Sequence, residues 1–144
     1  MADRDDVFIA DDQRPLIPEG EYLAQCIELR VIPYFDTQRM RLRFKILEGQ
    51  HADTILEMFI NLIDGKTGSR FKSVPPASNY YKNWCVANYC RQPVRRDRMS
   101  PKIFYEGIFR VQVRTAYPKY PNSRQRMPDG MQYSVVDYLI RREQ

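Results

Sequence analysis

The chain predicts a mostly β barrel with one helix. Three observations carry that expectation. Residues 39–46 alternate strictly between basic and apolar side chains. Two further stretches show the same period-two pattern, and a third changes phase midway. A single helical segment, opened by Ser78, interrupts the series. Successive strand residues point to opposite faces, so strict alternation marks a strand with one buried face.

Residues 1–19 read as a flexible lead-in closed by Pro15 and Pro18. The first strand runs from Glu21 to Ile32. Tyr22, Ala24 and Cys26 alternate on one face, then Ile27, Leu29 and Val31 on the other. Such a slip implies a bulge or sharp bend. After a turn over Pro33–Gln38, the second strand places Met40, Leu42, Phe44 and Ile46 inward and Arg39, Arg41, Arg43 and Lys45 outward. A tight connection at Glu48-Gly49-Gln50 leads to a third strand, about Thr54 to Leu62. Its core face is Leu56, Met58, Ile60 and Leu62; Ile55, Glu57, Phe59 and Asn61 share the other.

A Gly-, Lys-, Ser- and Pro-rich loop, Asp64 to Pro76, precedes the helix. Ser78 suits an N-cap for a helix over Asn79 to Cys90 or Arg91, with Tyr81, Trp84, Cys85, Asn88 and Tyr89 on its core face. Pro93 stops it. Arg91, Arg95, Arg96, Arg98 and Lys102 form a basic connector with Asp97 as its acid. The fourth strand, about Tyr105 to Thr115, turns Phe109, Val111 and Val113 inward and Arg110, Gln112 and Arg114 outward. A loop over Tyr117–Gly130 and a last strand, about Met131 to Ile140, complete the chain.

Three strands, a helix, then two strands is the order of the oligonucleotide-binding (OB) fold, a five-stranded Greek-key barrel. The expected organisation is an acidic arm over residues 1–17 and one OB-fold domain over 18–144. A chain of 144 residues suits one such domain.

Charge points to the partner. Residues 1–12 carry five Asp against one Arg. The remaining 22 basic and 13 acidic residues leave the body at +9. A basic body with an acidic arm suits a polyanion, with the arm competing for the same surface. Cations in line repel one another unless an anion lies on them, and a nucleic-acid backbone is such an anion. Basic stripes on two strands with interleaved aromatics read as a single-stranded nucleic-acid surface, phosphates on the cations and bases on the rings. The expected contacts are Arg39, Arg41, Arg43, Lys45, Phe59, Arg110, Arg114, Tyr117, Lys119, Tyr120, Arg124 and Arg126, with Tyr34 and Phe35 as further loop aromatics. Ordinary exposed sheet faces and loop aromatics folded onto the barrel ends are the plainer account of the same residues.

Other chemistries find less support. Gly65-Lys66-Thr67 lacks the leading Gly of a phosphate loop, since position 60 is Ile60. Lys66, Arg70 and Lys72 remain candidates for phosphate contact. His51 is the only histidine and has no paired nucleophile. Glu48, Asp53, Glu57 and Asp64 would suit a metal-dependent nuclease only if they converged. Cys26, Cys85 and Cys90 lack metal-ligand spacing and read as reduced, mostly buried thiols in a cytoplasmic protein. No apolar run is long enough to span a membrane. No cofactor, metal or enzymatic activity is expected.

The segments Pro18-Glu19-Gly20-Glu21-Tyr22 and Arg41-Leu42-Arg43-Phe44-Lys45-Ile46-Leu47-Glu48-Gly49 resemble a family of small phage and mobile-element proteins. So do the strand ending Asn61-Leu62 and the late Tyr133…Val136-x-Tyr138. The resemblance covers roughly residues 18–140. That family is regarded as single-stranded-DNA-binding-like, with an OB barrel, and is encoded near replication and recombination functions. The resemblance implies single-stranded DNA, favoured over RNA, as ligand, and replication or recombination proteins as partners. Open barrel edges suit a homodimer. The alternative is an inhibitor or adaptor on the same barrel that recognises an acidic protein. The chain departs from the bacterial single-strand-binding protein in lacking a Gly/Gln-rich tail with an acidic tip.

Overall fold

In a computed structural model of the chain, the described residues are 14–34, 37–62, 73–120, 125 and 130–144. Five strands form a closed ring: β1 (Gly20–Tyr34), β2 (Thr37–Ile46), β3 (Ile55–Asn61), β4 (Ile108–Ala116) and β5 (Tyr133–Arg142). One helix, α1 (Asn79–Ala87), and a 3₁₀ turn (Pro101–Phe104) lie between β3 and β4. The ring order is β1-β2-β3-β5-β4. Neighbours are antiparallel except β3 and β5, which run parallel and share the single registered pair Glu57–Val135. No helix among the described residues is long and apolar enough to cross a membrane.

β1 serves both sides of the ring. Residues 20–25 pair with β4 and residues 24–34 with β2. The predicted phase change is a bulge between Cys26 and Glu28. It leaves Ile27 outward and 37% exposed, while Ala24 and Cys26 stay fully buried. Past the bulge, Glu28 and Arg30 take the outward positions, opposite Arg43 and Arg41.

The core matches the alternation. Met40, Leu42, Phe44 and Ile46 from β2, Phe109, Val111 and Val113 from β4, and Leu56, Met58 and Ile60 from β3 are buried. Phe44 meets Phe109 edge to face, centroids 6.2 Å apart, the arrangement the ring quadrupole favours.

The lead-in differs from expectation at its end. Ile17 is buried, and Ser134 of β5 holds it on both sides. The Ile17 N–H donates to Ser134 Oγ at 2.8 Å, and the hydroxyl donates back to Ile17 O at 3.1 Å. Ser134 N–H donates to Pro15 O at 2.8 Å. Residues 15–17 therefore dock onto the barrel. The acidic residues 1–12 lie outside the described residues.

The helix is shorter than predicted and rotated. Ser78 caps it, accepting from Tyr81 N–H. It stops at Ala87 because Tyr89 and Cys90 take left-handed backbone angles, with Cys90 N–H closing on Cys85 O at 2.8 Å. This is the ordinary way a helix end satisfies its last carbonyls. The buried face is Tyr80, Asn83, Trp84 and Ala87. The predicted stripe is thus wrong at Tyr89, which is 54% exposed, and Tyr80 replaces Tyr81 as the buried tyrosine. The cause is the basic connector. Its carbonyls accept from the buried polar tips, Tyr80 OH to Met99 O at 2.6 Å and Trp84 Nε1 to Ser100 O at 3.0 Å.

β4 begins at Ile108 rather than Tyr105, because the 3₁₀ turn buries Phe104 and Glu106 adopts φ 64° to re-enter the sheet. Cys26 N–H donates to Gly107 O, and Glu106 N–H to Cys26 O, across that junction. The thiols are only partly as expected: Cys26 is buried, Cys85 half-buried and Cys90 exposed. The left-handed turn that ends α1 carries Cys90 out of the helix and into solvent.

Candidate nucleic-acid interface

Arg39, Arg41, Arg43 and Lys45 do line the outer face of β2, but they do not stand bare. The bulge in β1 brings Glu28 opposite Arg43, and Glu57 of β3 faces it from the other side. Arg41 Nη2 lies 2.9 Å from Glu28 Oε2, and Arg41 Nη1 lies 3.8 Å from Glu57 Oε2. Arg43 approaches the same two carboxylates at 3.3 and 3.4 Å. Arg30 joins at 3.7 Å from Glu28. The hydrogen bond from Arg41, with the Arg43, Arg41 and Arg30 charges behind it, holds the Glu28 carboxyl below its usual range against a smaller effect of burial. Lys45 sits 3.8 Å from the exposed Asp53. The expectation of four cations waiting for an external anion is therefore corrected. The middle of the stripe is a self-neutralising network.

The two outward arginines of β4 serve different ends of the barrel. Arg110 lies 3.7 Å from Glu48 in the β2–β3 turn. Arg114 Nε donates to Asp137 Oδ1 of β5 at 3.1 Å. The stripes accordingly do not run side by side along their length.

They meet at one place. A cleft of about 300 Å³ opens where β3 and β5 share their single pair. Its walls are Arg39 from β2, Phe59 and Asn61 from β3, Asn79 from α1, Arg114 from β4, and Tyr133 and Asp137 from β5. Arg39 lies near the start of its strand, Asn61 ends β3, Arg114 is two residues from the end of β4 and Tyr133 begins β5. The cleft therefore sits at the end of the barrel from which the β1–β2 and β4–β5 connections emerge.

Its cations and rings are already stacked. The Arg39 guanidinium carbon lies 4.5 Å from the Phe59 ring centroid, and that of Arg14 lies 4.3 Å from Tyr133. Arginine is the basic side chain that both stacks on aromatic faces and donates to phosphate oxygens. Along the β4–β5 connection Tyr117 and Tyr120 are 48% and 41% exposed, and Lys119 is exposed. Tyr120 N–H donates to Gln125 O. Phe35, Lys66, Arg70, Lys72, Arg124 and Arg126, with the side chain of Tyr34, lie outside the described residues.

Of the predicted contacts, the cleft gathers Arg39, Phe59 and Arg114. Arg41, Arg43, Lys45 and Arg110 lie outside its lining. Tyr133, Asn79 and Asp137 were not foreseen as lining residues, nor was Arg14 as the cation stacked on Tyr133. Tyr133 had a readable signal, a tyrosine opening the strand that follows a basic, tyrosine-bearing loop. Asn79 had none, since its position depends on how α1 docks against β5.

The carboxylates considered for nuclease chemistry are engaged with cations: Glu48 with Arg110, Asp53 with Lys45, and Glu57 with Arg41 and Arg43. Asp64 lies outside the described residues. No three His, Cys, Asp or Glu side chains gather as a potential metal site among the described residues. His51 packs edge-on to Tyr22, centroids 6.3 Å apart. No protein-family model, curated protein or solved structure matches the chain.

Proposed function

We propose that this barrel is an OB fold and that it binds single-stranded nucleic acid, DNA in preference to RNA, with little sequence preference. The ring order, the parallel β3–β5 contact and the helix between β3 and β4 support the fold reading. The observation that carries the function is the cleft. Arg39 on Phe59, Arg114 and Tyr133 bring cations and rings from four strands to one groove, and Arg14 of the lead-in stacks on Tyr133. Phosphates would bridge the guanidinium edges and bases would stack on the planar groups. No base-edge code is required. The resemblance of the strand motifs to phage and mobile-element proteins supports a role in replication or recombination.

The contact surface is smaller than the stripes implied, so the dependence on salt is modest. With three or four phosphates engaged, the slope of log K against log salt is about −2 to −3 for a single strand. Fluorescence anisotropy with labelled oligothymidylate, and with a duplex of equal length, at two salt concentrations tests the reading. Preference for the single strand with that slope is expected. Equal affinity for the duplex, or no binding at low salt, overturns it.

The Glu28–Arg41–Arg43–Glu57 network favours a second reading, a protein-interaction module. A sheet face whose charges cancel locally suits a protein partner better than a polyanion. Absence of oligonucleotide binding together with a stable protein complex would select it.

A further inference from the structure

We propose that the bound strand leaves the cleft along a second groove, between α1 and β5, where Tyr138 is a base platform and Lys82 a phosphate contact. This rests on the nucleic-acid reading above and extends it to a defined path.

The two grooves adjoin. The second has a volume of about 310 Å³ and shares Asn79 and Asp137 with the cleft; Lys82, Val86 and Tyr138 continue it. A bulge in β5 creates the junction. Val136 pairs with Val113 and Tyr138 with Gln112, so Asp137 is the extra residue. Asp137 and Tyr138 therefore both face outward, side by side, where a regular strand would bury one of them. Asp137 turns to Arg114 on the cleft side, and its negative charge is thereby countered. Tyr138 stands in the second groove, 48% exposed.

The chemistry of the second groove fits a strand leaving the first. Lys82 is exposed on α1, and no carboxylate of the described residues lies within ion-pair distance of it, unlike Arg41, Arg43, Lys45, Arg110 and Arg114. The wall is held in place. Asn83 is buried, accepts from Leu139 N–H at 2.9 Å and donates to Asn79 O at 2.8 Å, pinning α1 to β5 just past the bulge. A cation and an open ring on a fixed wall, reached through the cleft, provide for one phosphate and one stacked base beyond it.

Chain length separates this path from the cleft itself. Oligothymidylates of about 4 and about 16 nucleotides, the range a single OB barrel covers, are titrated against wild type, Tyr138→Ala, Lys82→Ala and Tyr138→Trp. The expected result is a loss of about fivefold or more for Tyr138→Ala with the long probe only, at the lower end of the stacking range. Lys82→Ala weakens the same probe and flattens its salt dependence, and Tyr138→Trp retains wild-type affinity. Unchanged long-probe affinity in both alanine variants overturns the path while leaving the cleft reading intact. Equal loss with both probes also overturns it, because the groove would then not be distal. Failure of wild type to bind either probe rejects the nucleic-acid reading and the path with it.

Discussion

Arg41 reaches across the β1–β2 pair to Glu28, Nη2 to Oε2 at 2.9 Å, and fills a half-buried position with a charge already answered. Its side chain is 17% exposed. A cation so placed is a strut before it is a ligand contact. Arg41→Ala should lower folding stability by about 1–2 kcal/mol, as expected for a hydrogen bond to a charged group in partly exposed surroundings. Oligothymidylate affinity should stay within about twofold, since the proposed phosphate contacts lie in the cleft. Urea denaturation and anisotropy on the same preparation measure both.

The cleft should respond in the opposite way. Phe59→Ala and Tyr133→Ala remove the rings beneath Arg39 and Arg14. Each should weaken oligothymidylate binding by about 1–3 kcal/mol, roughly 5-fold to 150-fold. Both rings are only partly buried, so circular dichroism should report a folded protein in each case.

Acid should loosen the barrel through Glu28. Its folded-state carboxyl lies below the ordinary 4.5, chiefly through the hydrogen bond from Arg41. A group with a depressed folded value contributes stability that is complete above the ordinary value. That contribution is lost as pH falls through the folded one. Wild type should therefore exceed Glu28→Gln in stability at neutral pH, and the two curves should converge at low pH. Denaturant titrations across that range read the convergence. Asp97, held down by Arg95, acts with the same sign.

Gly107 leaves no room for a methyl group. A Cβ there would lie 2.7 and 2.8 Å from two atoms of the Phe109 ring and 3.2 Å from the Arg142 guanidinium carbon. Phe109 is fully buried and cannot swing aside, and Arg142 donates to Ala87 O and Ile103 O. Gly107→Ala should cost about 1–3 kcal/mol by overpacking, measured by chemical denaturation.

The cysteines should separate by reactivity. Cys90 is exposed, whereas Cys26 is buried with its thiol pushed up to about 12 by desolvation. Maleimide labelling of native protein followed by peptide mapping should find Cys90 modified and Cys26 untouched until denaturant is added.

Much of this arrangement could be read from the residues. Alternation located the inward faces of β2, β3 and β4 because burial on one face imposes a period of two. The phase change in β1 was legible as well, and its consequence was available. Once Ile27 is the bulged residue, Glu28 must face outward beside Arg43, and Glu57 already shared the face of Phe59. The network was therefore implicit in two acids read only as strand residues. The rotation of α1 was not legible, because Tyr80 and Tyr81 compete equally for burial until the connector supplies a carbonyl. The cleft was only half legible. Phe59 and Arg39 lie on adjacent strands, but their meeting with Arg114 and Tyr133 depends on how the ring closes.

The lone Glu57–Val135 pair is the thinnest lacing in the cylinder. A polymer laid in the opening beside it would grip β2 and β3 with one set of groups and β4 and β5 with another. It would act as a suture, so that occupancy raises the melting temperature and slows amide exchange on both lips of the seam together. Holding the ligand and holding the cylinder shut would then be one act.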